Sequence, residues 1–398
     1  MTANARKRRR ARWLVVGALL LAGAARAPAR TFSDILGTEI LRPVGRALGE
    51  SIGRALPVIS ASPGVVYTFD PETGAFERET TVLGQLFLER PEPVGRRKWN
   101  LSLSYQRVKI DTFEGNDIEA LKDVRQPIID PRPPHAFFTV PLFGIDLDTH
   151  ELSASATYGL TDDLDVNLTV PLLYSEFRLK VVFQDVLTGQ VMRDAPSSTK
   201  AGVGDIFLRG KYRLVRRDWA QVAAGLVLRV PTGNEDSFQG TGNVELAPML
   251  YAAAKVLPLG RWTQLRPYVN GGINFNADDV DRSEARWGVG LDGRIGERLT
   301  IALAFLGRHP FRRIAPPGFF DLTRCAAIDQ STGTCNRTVV APLLGIENRR
   351  PDFYDVSIGG RVNLWRDTLF GFANAIVPLN DDGFRSNVIP LAGVEATF

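Results

Sequence analysis

Apolar and polar side chains take turns along this chain from Trp99 to Phe398, in runs of about ten residues parted by turns that are alternately short and long. In WNLSLSYQ, Trp99, Leu101, Leu103 and Tyr105 share one side of an extended ribbon, with Asn100, Ser102, Ser104 and Gln106 on the other. Successive strand side chains point to opposite faces, so period two marks a strand with one apolar face. HELSASATYGLTDDLDVNLTVPLL reads as a hairpin turning at 159–163, with Leu164, Val166, Leu168 and Val170 opposed to Asp165, Asn167 and Thr169. In DIFLRGKYRL, Ile206, Leu208, Tyr212 and Leu214 alternate with Asp205, Arg209, Lys211 and Arg213. Charges at every second position cannot all meet hydrocarbon, so they face a wetter interior.

Twelve such strands are expected, the last ending at Phe398. Short connections at 159–163, 215–218, 296–298 and 366–367 alternate with long segments at 111–148, 173–201 and 307–352. An even count with this asymmetry reads as an all-β transmembrane antiparallel barrel, its termini and short turns in the periplasm and its long loops outside. Trp99, Trp219, Trp262 and Trp365 fall at the short-turn ends, where an aromatic girdle lies. No segment carries the roughly 18 apolar residues that a membrane helix needs.

Ahead of the barrel, assigned to 97–398, residues 1–29 read as a secretory signal peptide: a basic start, the apolar run WLVVGALLLAGAA, and small residues up to Ala29. Residues 30–96 form a periplasmic or lumen-plugging segment. Leu36, Ile40, Val44, Leu48, Ile52 and Leu56 recur at helical spacing, and VVYTFDPETGAFER reads as a hairpin that could also raise the count to fourteen strands. Composition changes this picture little. Lysine and arginine total 48 against 44 acidic residues, but Arg6, Lys7, Arg8, Arg9, Arg10, Arg12 and Arg26 belong to the leader. The remainder is slightly acidic, and no nucleic-acid partner follows from it.

Alternation places Asp165, Asp205, Arg209, Lys211, Arg213, Arg229, Arg286, Asp292, Arg294, Asp355, Arg361 and Glu395 toward the lumen. They read either as a charge-lined constriction or as mutual ion pairs bracing a filled interior. Cys325 and Cys335 share one polar loop of an exported chain and are candidates for a disulfide. Among the histidines, His135 and His309 lie in expected loops. His150 and Ser153 fall on opposite faces, which removes a Ser-His nucleophile pair. GVGDI precedes a strand, not the helix that a phosphate loop needs. No metal, cofactor or catalytic residue is expected. HAFFTVPLFGI and PPGFFDL put apolar clusters in the outer loops, where they either gather a hydrophobic solute or pack on one another.

At Gly202 to Leu214, GVGDIFLRGKYRL, with VPTGN at 230–234, YGLTDDLDV at 158–166 and the terminal VEATF, the chain resembles the outer-membrane MetA-pathway phenol-degradation family. That resemblance implies channel-like barrels related to long-chain fatty-acid and aromatic-compound transporters, and carries over no binding residue. Phe398 resembles the aromatic terminus by which insertion machinery recognises such barrels. The expected role is an outer-membrane channel of a Gram-negative-type cell, monomeric, touching lipid, the insertion machinery and a small, hydrophobic or aromatic solute. A structural or adhesive barrel is the second reading and an outer-membrane hydrolase the third.

Overall fold

The computed structural model describes residues 60–70, 75–78, 83, 86–113, 115–118, 126–129, 137–185, 191–195, 197–258, 263–296, 298–312, 321–328, 335–342 and 350–398. The leader and the amphipathic stretch at 31–57 lie outside them, as do Trp262 and His135. Twelve antiparallel strands make the wall: β1 (Trp99–Ile110), β2 (Phe137–Gly159), β3 (Leu164–Asp185), β4 (Ile206–Arg216), β5 (Ala220–Val230), β6 (Glu245–Ala254), β7 (Thr263–Asn276), β8 (Glu284–Ile295), β9 (Leu299–Pro310), β10 (Phe353–Trp365), β11 (Leu369–Pro378) and β12 (Ile389–Thr397). Each pairs with the next, and β12 pairs with β1 from Leu391 opposite Gln106 to Thr397 opposite Asn100. Trp99 and Phe398 exchange backbone hydrogen bonds of 2.8 and 2.9 Å at the seam. Closure leaves the twelve-strand wall without an edge, the condition for crossing a bilayer with strands, and the edges at Ser197–Val203 and Gln126–Ile129 belong to the extension beyond it. The hairpin of Tyr67–Asp70 and Ala75–Arg78 pairs only with itself, so the wall has twelve strands and not fourteen.

The outward face of the wall is apolar through a continuous belt. Leu101 and Leu103, Val166 and Leu168, Leu208 and Tyr212, Leu246 and Leu250, Leu291, Ile301 and Leu303, and Ile358 are all exposed. In a water-soluble protein such a surface would be an aggregation hazard, whereas against lipid it is the stable arrangement. Trp99, Trp219, Trp365 and Phe398 ring one end of the belt, at the short turns. Trp287, Phe305, His309 and Tyr354 cluster toward the other, with Trp287 Nε1 donating to His309 Nε2 at 2.9 Å.

Two strands run well past the belt. β2 has 23 residues and β3 has 22, roughly twice the 9–11 a bilayer requires. The sequence assigned 137–148 and 173–185 to loops; they are paired strand, with Ile145 opposite Leu179 and Leu147 opposite Phe177. Within this extension the polarity of alternation is reversed. Val108, Ile110, Ile145, Leu147, Leu173, Phe177 and Leu179 point inward and are buried, while Arg107, Glu176, Arg178 and Lys180 point outward. Outside the membrane the solvent is water, so the dry side of the sheet is its interior. Phe238, from the β5–β6 connection, packs edge-on against Phe177 with ring centroids 5.5 Å apart and caps this collar.

The described residues around Ser62, Gly64, Leu83 and 86–94 run inside the barrel. Gly64 donates its backbone N–H to Glu395 Oε1 at 2.9 Å, Leu83 N–H to Thr300 Oγ1 at 3.1 Å, and Val94 N–H to Asp165 Oδ2 at 3.0 Å. These three contacts reach β12, β9 and β3, so the segment is tied to well-separated parts of the wall.

Candidate functional site

The lumen has two tiers, built from inward positions of the strands and from the segment that threads them. In the lower tier, toward the short turns, charge is buried and, apart from Asp292, paired. Arg361 Nη1 donates to Leu83 O at 2.8 Å and Nη2 to Ser62 O at 3.3 Å, and lies 3.5 Å from Glu395. Lys211 sits 3.6 Å from Asp165 and 3.9 Å from Glu89, and donates to Ser62 Oγ at 3.2 Å. Arg266 contacts Glu92, whose second oxygen is 3.5 Å from Arg90 Nε, and Arg90 Nη1 also donates to Gly64 O at 3.1 Å. Removing one member of such a pair leaves an uncompensated buried charge, so Lys211–Glu89 and Arg266–Glu92, which cross from wall to segment, fasten the one to the other. Glu89 and Glu92 belong to the segment and not to a spanning strand. Burial pushes both carboxyls up, yet Lys211 and Arg209 on Glu89, and Arg266 and Arg90 on Glu92, outweigh it and hold both below the ordinary glutamate range.

Above the segment lies a cavity of about 250 Å3. Phe87, Leu88 and Glu89 form its floor, and Val227, Met249, Leu306 and Ile376 are among its apolar walls. Five arginines, Arg209, Arg229, Arg286, Arg308 and Arg385, also line it. Four are held by carboxylates. Arg229 Nε donates to Asp205 Oδ2 at 2.8 Å and lies 3.6 Å from Glu245; Arg286 contacts Glu284, which is 3.8 Å from Arg308; and Arg385 Nη1 donates to Asp355 Oδ1 at 2.9 Å. The fifth, Arg209, donates only to neutral oxygens, Asn167 Oδ1 at 3.2 Å and Thr169 Oγ1 at 3.4 Å.

Of the twelve lumen positions singled out by alternation, Asp165, Asp205, Lys211, Arg213, Arg229, Asp292, Arg361 and Glu395 are buried inside the barrel, and Arg209, Arg286, Arg294 and Asp355 are half-buried there. They do not gather at one place. Arg213 is held by Asp163 at 2.8 Å at the turn end, and Arg294 reaches only Gln264 there, at 3.5 Å. Alternation missed Glu245, Glu284, Arg266 and Arg308, which belong to the same inner faces. Glu284 has the parity of Arg286 and was legible. Glu245 shares its face with Ala247, Met249 and Tyr251, so no polar alternation marked it. Glu89, Glu92 and Arg385 sit off the wall strands, where period two gives no signal.

His150 lies on the outer face of β2 with Nδ1 2.6 Å from the Tyr105 hydroxyl, while Ser153 faces the lumen and donates to Glu151. Cys325 and Cys335 lie on the paired strands Asp321–Ile328 and Cys335–Pro342, opposite Thr338 and Ile328 respectively; their side chains are outside the described residues, as are those of the loop phenylalanines. No metal-holding group of histidine, cysteine and carboxylate occurs among the described residues.

No family model matches the chain, and no curated protein matches it either. Solved structures similar to it include an outer membrane channel from Pseudomonas putida F1, at 14% identity and a TM-score of 0.41, covering 77% of this chain and 98% of that one. A FadL homologue of Pseudomonas aeruginosa shares 10% identity at a TM-score of 0.29, covering 76% and 90%. The Pseudomonas putida toluene transporter TodX shares 9% at 0.31, covering 75% and 87%.

Proposed function

We propose that the protein is an outer-membrane channel through which small, largely apolar molecules pass down their gradient, with residues 60–94 acting as a plug. The observation that carries this reading is the cavity of about 250 Å3 held inside a lipid-facing barrel, walled by Val227, Met249, Leu306 and Ile376 and floored by the plug. A barrel serving only as a surface scaffold has no use for an apolar chamber at the level of the membrane, where each hidden void forfeits packing. The inner ion pairs support bracing of the wall and seating of the plug more than a selectivity ring, because the lower-tier cations Lys211, Arg266 and Arg361 are matched by acids. The chain reaches its membrane by the leader at 1–29, is recognised through Phe398, works as a monomer, and closes its outer hairpin with a Cys325–Cys335 disulfide. Mass analysis of exported protein tests both the cleavage near Ala29 and the bond; two free thiols reject the latter.

Liposome swelling with the purified full chain tests the transport reading. Read as the excess over protein-free vesicles, since benzyl alcohol also crosses lipid unaided, entry of benzyl alcohol and similar aromatic solutes should exceed that of sugars of equal size, and removal of 60–94 should raise all rates. Vesicles that admit no solute with or without the plug would reduce the protein to a structural barrel.

A further inference from the structure

Arg209 is the one cavity arginine with no carboxylate in direct contact. Among the described residues no carboxylate lies within ion-pair distance of it, and its two hydrogen bonds go to an amide and a hydroxyl oxygen. The nearest acid by charge, Glu89, is already engaged: Ser62 Oγ donates to one oxygen, Ala61 N–H to the other at 2.6 Å, and Lys211 stands 3.9 Å away. A half-buried guanidinium that hydrogen-bonds only neutral acceptors keeps Glu89 as a counter-charge at longer range, while its planar fork, held by no carboxylate, suits one. Around it the chamber is greasy. Phe207 lies under the guanidinium with its ring centre 5.6 Å away, and Val227 and Met249 continue the wall. At about 250 Å3 the space sits just below the usual range for small-molecule sites, roughly 300–1,000 Å3, which limits an occupant to about one ring or a short chain.

Resting on the channel reading, we propose that the chamber selects a small monocarboxylate with an apolar body, such as an aryl or short alkyl acid. Its carboxylate sits on Arg209, and its body lies against Phe207, Val227 and Met249. The other four arginines keep their acids and hold the walls in place. A neutral molecule of the same shape fills the apolar part but leaves Arg209 unanswered, and a cation meets it as a like charge.

Calorimetric titration of the full chain in detergent micelles with benzoate, benzamide and benzyl alcohol tests this. Benzoate should bind about tenfold or more tighter than benzamide, the scale of one charge-assisted hydrogen bond. Arg209→Met should bring the two within about twofold. Arg209→Lys should keep part of the preference, since the charge stays and the fork is lost. Arg294→Met, at the turn end of the lumen, should change nothing. Equal binding of benzoate and benzamide to the unaltered chain overturns the proposal, as does a preference that survives Arg209→Met. Because binding is read without transport, vesicles whose benzyl alcohol entry does not exceed that of protein-free vesicles would sink the channel reading and leave an Arg209-dependent benzoate preference standing.

Discussion

β1, β2 and β3 pass through two environments, and one sequence rule serves both with its sign reversed. In the belt, Leu101, Leu103, Val166 and Leu168 point outward, and Asn100, Ser104, Asp165 and Asn167 point inward. A few residues further on, in the collar, Arg107, Glu176 and Arg178 point outward, and Val108, Ile110, Leu147 and Phe177 point inward. The backbone pleat is unbroken between the two; what changes is the solvent touching the outer face. Period two therefore reports a strand, while the side its apolar residues take reports whether lipid or water lies outside.

The largest test of that reversal is in the collar core. Phe177 is 1% exposed and meets Phe238 edge-on, so Phe177→Ala should cost about 3–5 kcal/mol. Urea denaturation in micelles, followed by tryptophan fluorescence, gives the value. A loss below about 1 kcal/mol would mean that the collar has no packed interior of its own.

The second test places the same residue on one face of β3 at two heights. Leu168→Arg, in the belt, should cost about 2–4 kcal/mol if near the bilayer midplane. Glu176→Arg, eight positions on and equally outward, should cost less than about 1 kcal/mol, since its one recorded side-chain contact is the exposed hydrogen bond from Tyr174. Equal penalties would erase the boundary between the two regions. Reconstitution into bilayers of defined lipid sharpens it, because only the belt substitution should respond to thickness.

How much was legible follows from the same boundary. Lipid forces an apolar side chain outward at every second position, so the belt strands, their order and their inward charges could be read along the chain, Arg209 and Glu395 included. The collar was taken for loop. There the apolar positions Leu173, Phe177 and Leu179 have the opposite parity to Val166 and Leu168, and a reader expecting one hand of alternation loses the strand at the crossing point. The segment at 30–96 read as either periplasmic or lumen-plugging, with a helical stretch and a hairpin, and the two places stayed open. Nothing in the run from Ser60 to Val94 announces that its amides will meet Glu395, Thr300 and Asp165, since those partners are distant in sequence and individually ordinary. The singular position of Arg209 was likewise hidden. Period two put it inside with eleven other charged residues, and only the pairing of the rest sets it apart.

The smallest expected effect concerns what fills the two regions, and it follows from their contents. The collar interior is aliphatic and aromatic apart from the hydroxyls of Thr149 and Ser175, neither of which titrates in acid, so acid should leave it intact. The belt interior holds the plug by carboxylates, and those of Glu89 and Glu92 sit below the ordinary glutamate range. A carboxyl whose folded value is depressed contributes stability that is complete above its unfolded value and is lost as pH falls through the folded one. Protection of amides 86–94, the exchange rate set against its intrinsic base-catalysed value at each pH, should accordingly be constant from about pH 8 down to about pH 5 and fall only in stronger acid, while protection of 173–179 shows no matching step. Glu92→Gln should remove part of the acid step by making that site neutral at every pH, at the expense of a weaker plug throughout. A step near neutrality in 86–94, or one shared by the collar, would show that the plug is held by something other than these two acids. It would also show that belt and collar open together, as one cooperative unit and not as two regions with separate chemistry.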